Sequence, residues 1–332
     1  MNTKIFRSRF FILIILAVII SNITIPAVNQ TNKTETTLKN QKNAKTKIVS
    51  KNNNETKINY YSEKEIRDEL KKAGVNSKSI EAFIIANNHS KNKNIAKDEL
   101  KKEFQKALKY DNKNYLALDA MEHIYFNEED KGIFYFEEAI KINPKFQKSY
   151  DNLIYLLSFI DDEESEKKKS DFLRKRQLLS EQLIKLAPEN PIGYERLYEY
   201  YDKKYEYYNK KEDYDKAVTM AKKAIELYLK AEEPKYYYYE VDKPSDLEYV
   251  YTKDHSMNVL EFQLLNTYIE KDDITAFDYF FELYKKERKD PEKYSGLKED
   301  FKGAIQMMNR KYKNKNRKLY EENLRKFKEL GF

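Results

Sequence analysis

From Tyr61 to the C-terminus the chain repeats one spacing. Leu153, Leu156, Leu157 and Ile160 fall on one face of a helix, and so do Ala217, Met220, Ala221 and Ala224. Apolar residues three and four apart lay a stripe along a 3.6-residue turn, whereas a half-buried strand needs alternation. Only 6 Gly and 7 Pro occur in 332 residues, too few for the turns of a β-sandwich, a barrel or a Gly-rich nucleotide fold. The absence of Cys excludes disulfides, thiolate zinc sites and a cysteine nucleophile.

The punctuation marks a succession of short helices. Ser62 with Glu65 forms a capping box, and Gly74 stops the helix it opens. Further helices are expected at 77–88, 95–110, 115–126, 132–142, 147–160, 172–186, 192–208, 214–231, 255–270 and 273–288. Asp111-Asn112, Asn143-Pro144, Pro188, Pro234 and Asp290-Pro291 close several of them, and a charged link, 161–171, separates two. No such helix pair buries its stripe alone; pairs stacked on neighbours do. The fold class expected is therefore all-α, a solenoid of stacked antiparallel helix pairs, with an irregular bundle as the alternative.

The first sixty residues read as address and tether. Lys4, Arg7 and Arg9 precede the uninterrupted apolar run 10–20, followed by Ser21, Pro26 and Ala27. This is the pattern of a signal peptide, and the run is short of the ~20 residues that span a bilayer. Residues 1–27 are expected to be a signal peptide, or failing cleavage an anchor, which puts the protein in the periplasm, the cell envelope or outside the cell. Residues 28–60, rich in Asn, Lys and Thr, have little to bury and are expected to be a disordered tether. Residues 1–60 hold ten Lys/Arg and two Asp/Glu, so the overall charge of +7 splits into +8 there and −1 in the rest. A near-neutral body argues against a nucleic-acid partner. Its one basic cluster, 310–318, reads as a solvated helix end.

The segment 136–157, FEEAIKINPKFQKSYDNLIYLL, carries Ala139, Ile142, Pro144, Tyr150 and Leu153. It resembles the junction between two tetratricopeptide repeats, as in an exported bacterial-type member of that family. The pattern recurs at 104–121, with Ala107 and Asn112, and at 181–197, with Leu183, Pro188 and Tyr194. The resemblance covers about 95–290, leaving 61–94 as an N-terminal helical cap and 291–332 as C-terminal capping helices. Unequal spacing, Leu183 in place of a small residue and the missing Gly of the first helices depart from the family pattern.

No catalytic constellation emerges. No Gly pair has phosphate-loop spacing, and His89, His123 and His255 lie far apart. Glu164-Ser165 is similar to the pair of lytic transglycosylases but sits in a solvated charge run. No enzyme, metal or cofactor is expected. The resemblance implies instead that the first helix of each pair lines a concave groove holding a protein or peptide partner. Matched unit by unit, that face carries Asp119 and His123, then Asp151 and Tyr155, then Glu195 and Glu199. A ladder of carboxylates would favour a basic partner. Lys at Asp119, Asp151 and Glu195 is expected to weaken capture without unfolding the chain. Tyr236, Tyr237, Tyr238 and Tyr239, in the long interruption 232–254, form a second candidate surface, and a Tyr-rich face suits an alternative role as a cell-envelope glycan-binding module. Enzymatic and cytoplasmic readings rank behind these.

Overall fold

A helix of ten residues is marginal in water, so each short helix here must draw its stability from what it packs against. The computed structural model describes residues 59–91, 95–125, 129–160, 166–237, 253–271 and 316–329, with a few isolated positions beyond 271. All belong to one compact unit, Thr56–Phe332. The signal and tether expectations, the Glu164-Ser165 pair, most of the 273–288 helix, Tyr238 and Tyr239, and most of the C-terminal cap lie outside the described residues.

Eleven helices are described: α1 Glu63–Lys72, α2 Ser77–Ser90, α3 Lys97–Tyr110, α4 Tyr115–Tyr125, α5 Glu129–Ile142, α6 Gln147–Ile160, α7 Glu166–Leu186, α8 Pro191–Tyr208, α9 Lys211–Tyr228, α10 Lys253–Glu270 and α11 Arg317–Glu329. From α1 to α10 each helix packs on the next in the chain, though the α1–α2 contact is slight; α6 also touches α8. The described residues contain no strand, only an isolated bridge between Tyr60 and Tyr236. The architecture is the expected solenoid of stacked antiparallel helix pairs, α2/α3, α4/α5, α6/α7 and α8/α9. The first of these pairs uses α2, which lies within 61–94.

Local chemistry explains the boundaries. Ser62 Oγ accepts from the Glu65 backbone N–H at 3.3 Å, and Glu65 Oε2 accepts from the Ser62 N–H at 2.8 Å, completing the capping box. Gly74, at φ +78°, takes the left-handed turn after α1 that a side chain would resist. Asn190 caps α8 through the Ile192 N–H at 3.0 Å, with Pro191 at the first helical position. Asn209, at φ +51°, ends α8 in the left-handed region. α7 begins at Glu166, six residues before the expected start. Its first turns are Glu, Lys, Ser and Asp, good or tolerable helix residues with no apolar stripe, so periodicity first registers at Phe172.

Small residues sit where helices cross. Ala107, Ala139, Ala217, Ala221 and Ala224 are all fully buried. At the α7–α8 crossing the close approach falls on Gly193, where a Cβ would lie 2.8 Å from Ile184 Cγ1 and 3.1 Å from the Ile184 backbone N. The core follows the stack. One buried cluster joins α1 through α4 with Ala139 and Phe146; another joins α8, α9, α10 and Leu319 of α11. In α1, burial of Ile66 and Leu70 stabilises by ~2 kcal/mol each.

One set of contacts joins elements much farther apart in the chain. After α9 the chain leaves the helix and passes beside α1. The Tyr61 N–H donates to the Tyr236 carbonyl at 2.8 Å, and the Tyr236 N–H donates to the Asn59 carbonyl at 2.9 Å. The rings of Tyr61 and Tyr237 stack at 4.0 Å. Tyr237 O–H donates to Glu69 Oε2 at 2.7 Å, and Tyr115 O–H donates to the other oxygen of Glu69. Lys235 Nζ lies 2.6 Å from Glu65 Oε1, and Lys235, followed by Ser62, holds the Glu65 carboxyl down to about 2. Residues 234–237 thus strap the end of the fourth described pair to the first helix.

Candidate partner-binding groove

The inner faces of α6 and α8, the chain from 142 to 147, α1, the strap and the start of α10 enclose a cavity of about 1840 Å³. Side chains reach it at steps of three and four along α6 (Lys148, Asp151, Asn152, Tyr155) and α8 (Ile192, Glu195, Arg196, Glu199), as the helical period requires. Seven acidic and seven basic side chains line it, so its wall carries no net excess of either sign.

Of the expected groove residues, Asp151, Tyr155, Glu195 and Glu199 lie together in this wall. Asp119 does not. It is fully buried between α4 and α6, where Ser149 Oγ donates to Asp119 Oδ1 at 2.6 Å and Lys148 Nζ stands 3.9 Å away. The repeat register placed it correctly along α4, but α6 packs over it. The side chain of His123 lies outside the described residues. Tyr236 and Tyr237 also line the cavity, yet Tyr237 is buried by Tyr61 and Phe146 and is no free face for stacking sugars.

The ladder is not a bare row of acids. Arg196 stands in its middle: Nε is 2.6 Å from Asp151 Oδ1, Nη1 is 2.7 Å from Glu199 Oε1, and Nη1 is 3.7 Å from Glu195 Oε1. The buried Arg176 approaches Glu199 from α7 at 3.7 Å. The Tyr155 ring covers the Arg196 guanidinium at 5.7 Å, a cation–π distance. One planar, forked cation therefore ties α6 to α8. The expectation of an acidic surface selecting a basic partner is corrected on this ground: the two arginines neutralise most of it from within.

Glu195 is the exception within the network. Its side chain is 15% exposed, and Tyr228 O–H from α9 donates to Glu195 Oε2. Burial pushes its carboxyl up to about 7; Arg196 opposes that rise and Glu199 reinforces it. Its surroundings are charged, unlike the apolar pocket expected of a general-acid glutamate. Among the described residues no group of three or more His, Asp or Glu is placed to hold a metal, and no described helix is long and apolar enough to cross a membrane.

Arg196, Arg176, Tyr228 and Glu69 escaped the sequence reading. For Arg196 a signal existed, since it lies three residues before Glu199 and beside Glu195 on one helical face. The others arrive from separate elements and leave no local trace.

The helix pairs, the small residues at their crossings and the Pro144-to-Tyr150 junction, where Tyr150 O–H donates to the Pro144 carbonyl at 3.1 Å, make this a solenoid of stacked antiparallel helix pairs. No family model matches the chain, and no curated protein matches it by sequence. Among solved structures it is similar to MamA 41-end from Desulfovibrio magneticus RS-1, with 15% identity, 65% of this chain and 98% of that chain covered, and a TM-score of 0.44. It is also similar to TTC0263, a thermophilic TPR protein in Thermus thermophilus, with 13% identity, 63% and 90% covered, and a TM-score of 0.42. Yeast Tom70 is a further match, with 15% identity, 79% and 53% covered, and a TM-score of 0.33.

Proposed function

We propose that the chain is a non-enzymatic interaction scaffold whose α6–α8 groove holds an extended segment of a protein partner, and that residues 1–27 direct it out of the cytoplasm. The observation that carries the first part is the cavity of about 1840 Å³ with a mixed-charge wall. An extended peptide satisfies its own backbone on polar side chains such as those α6 and α8 bring to this wall. Tyr155, 39% exposed, offers the large rigid face that partner binding favours. Export rests on the basic start and the apolar run at 10–20.

A photo-crosslinking residue placed at Tyr155, with one at Phe134 as a control, tests the groove. Phe134 is 55% exposed on α5 and does not line the cavity. Crosslinks to a defined partner segment from 155 alone support the reading; equal crosslinks from both positions overturn it. N-terminal sequencing of the native protein tests export, with cleavage near Ala27 expected.

A further inference from the structure

Every charge that α6 and α8 bring to the cavity wall is already answered from within the chain. Asp151 and Glu199 bond Arg196 at 2.6 and 2.7 Å, and Arg176 stands behind Glu199 at 3.7 Å. Glu195 accepts from the Tyr228 O–H with Arg196 3.7 Å away, and Lys148 faces Asp119 at 3.9 Å. We propose that this wall selects by neutrality: the stretch of a partner segment that crosses Arg196 is uncharged, and Lys, Arg, Asp or Glu is rejected there. The proposal rests on the reading of the groove as a peptide-holding site and names the chemistry of what it holds.

A charged side chain gains little by entering here. An incoming Lys has to draw Asp151 or Glu199 off a forked guanidinium that holds both, and it then faces Arg196, whose side chain is only 14% exposed. An incoming carboxylate joins the three acids already gathered round Arg196. Either group sheds its water without meeting a new opposite charge. An uncharged side chain leaves the network intact and lies on the exposed Tyr155 ring beside Arg196. Elsewhere in the cavity Asp68, Lys72, Lys145, Glu189 and Glu232 are exposed to water, so the rest of the segment can carry charge of either sign.

Glu195 makes the balance depend on pH. It is faced by Arg196 and Glu199 on α8, Asp151 on α6 and Tyr228 on α9, with Arg176 of α7 behind Glu199. Burial holds its carboxyl up at about 7. Below that value Asp151 and Glu199 are matched by Arg196 and Arg176, and above it one negative charge is left over. An uncharged side chain laid over Glu195 removes more water and favours the protonated form further. Affinity is then fully present below about 7 and falls as pH rises beyond it, ~10-fold for each unit by which the bound segment raises the carboxyl.

Random linear peptides displayed on phage, selected at pH ~6 on the full chain with a photo-crosslinking residue at position 155, test the proposal, and only crosslinked peptides are sequenced. Depletion of all four charged residue types around the crosslinked position supports it. Charged residues there as frequent as in the unselected library overturn it and leave the groove reading standing. No crosslinked peptide at all sinks the groove reading and the neutrality rule with it. Asp151→Asn keeps an oxygen for the Arg196 Nε and removes one negative charge, so the same selection should now enrich Asp and Glu. Continued depletion on the folded variant overturns the charge balance as the cause. Should that variant not fold, the pH arm on the unaltered chain decides. A selected uncharged peptide should bind ~10-fold more weakly at pH ~8.5 than at pH ~6, with the difference lost in Glu195→Gln. Equal affinity at both pH values in the unaltered chain overturns the proposal.

Discussion

Tyr237 donates its hydroxyl to Glu69 across 168 positions of sequence, in a fold whose most extensive helix contacts are between consecutive helices. Its ring packs in the same cluster as Tyr115 and Phe146. Stability is therefore shared between α1–α4 and the segment that follows α9. Tyr237→Ala is expected to cost ~3 kcal/mol, as for a large aromatic removed from a core. It should also split one urea transition into two, with α1–α4 melting before α8–α10. The chain has no Trp, so a Trp introduced into each half would report the halves separately. A single transition with unchanged slope would contradict this.

Removing Arg196 leaves Asp151, Glu195 and Glu199 facing one another with their shared partner gone. Arg196→Met is expected to destabilise by ~3 kcal/mol at pH 8, the usual cost of breaking a desolvated charge cluster. The loss should shrink at pH 5, where Glu195, raised to about 7, is protonated and adds no charge to the cluster. Replacing Asp151 as well, by Leu, should recover part of it. Urea midpoints at both pH values decide the matter.

Glu195 sets a pH dependence of its own. Its carboxyl is raised from 4.5 to about 7 by burial, so the folded chain binds that proton more tightly than the unfolded chain does. The resulting stability is fully present below about 4.5 and is lost as pH rises through about 7. Over that window the wild type should lose up to ~3 kcal/mol relative to Glu195→Gln, which stays neutral throughout. Parallel stability curves for the two proteins between pH 4.5 and 8 would refute the assignment.

Gly193→Ala opposes two effects. Helix propensity favours Ala by ~1 kcal/mol. The new Cβ, however, meets the backbone N of Ile184 at 3.1 Å as well as its side chain at 2.8 Å, so α7 must move. Overpacking of this kind costs ~1–3 kcal/mol, and a net fall in melting temperature is expected. Shortening Ile184 to Ala should relieve only the side-chain share of the clash.

Asp119→Lys is now expected to unfold the chain, since it would bury a cation beside Lys148. Asp119→Asn keeps an oxygen for Ser149 and should cost ~1–2 kcal/mol. Circular dichroism separates the two outcomes, and a folded Lys variant would refute the buried placement.

The helices were legible because their information is local. The Ser62/Glu65 box, Gly74, Asn190-Pro191 and the spacing of Leu153, Leu156 and Leu157 each act within a turn or two. The start of α7 was lost because Glu and Lys extend a helix without marking a face. The groove was half legible: repeat register placed Asp151, Tyr155, Glu195 and Glu199 on inward faces, but not Asp119's burial beneath α6. The strap was illegible, because a hydroxyl meeting a carboxylate 168 residues away leaves no periodic trace.

An open repeat array tolerates gain or loss of a unit, because each unit answers only to its neighbours. Here the number of units is counted. Duplicating α6/α7, or deleting it, would rotate α9 away from α1 and leave Tyr237 with nothing to reach. Lineages of this chain should vary freely in loop length yet keep the same tally of hairpins between Glu69 and Tyr237.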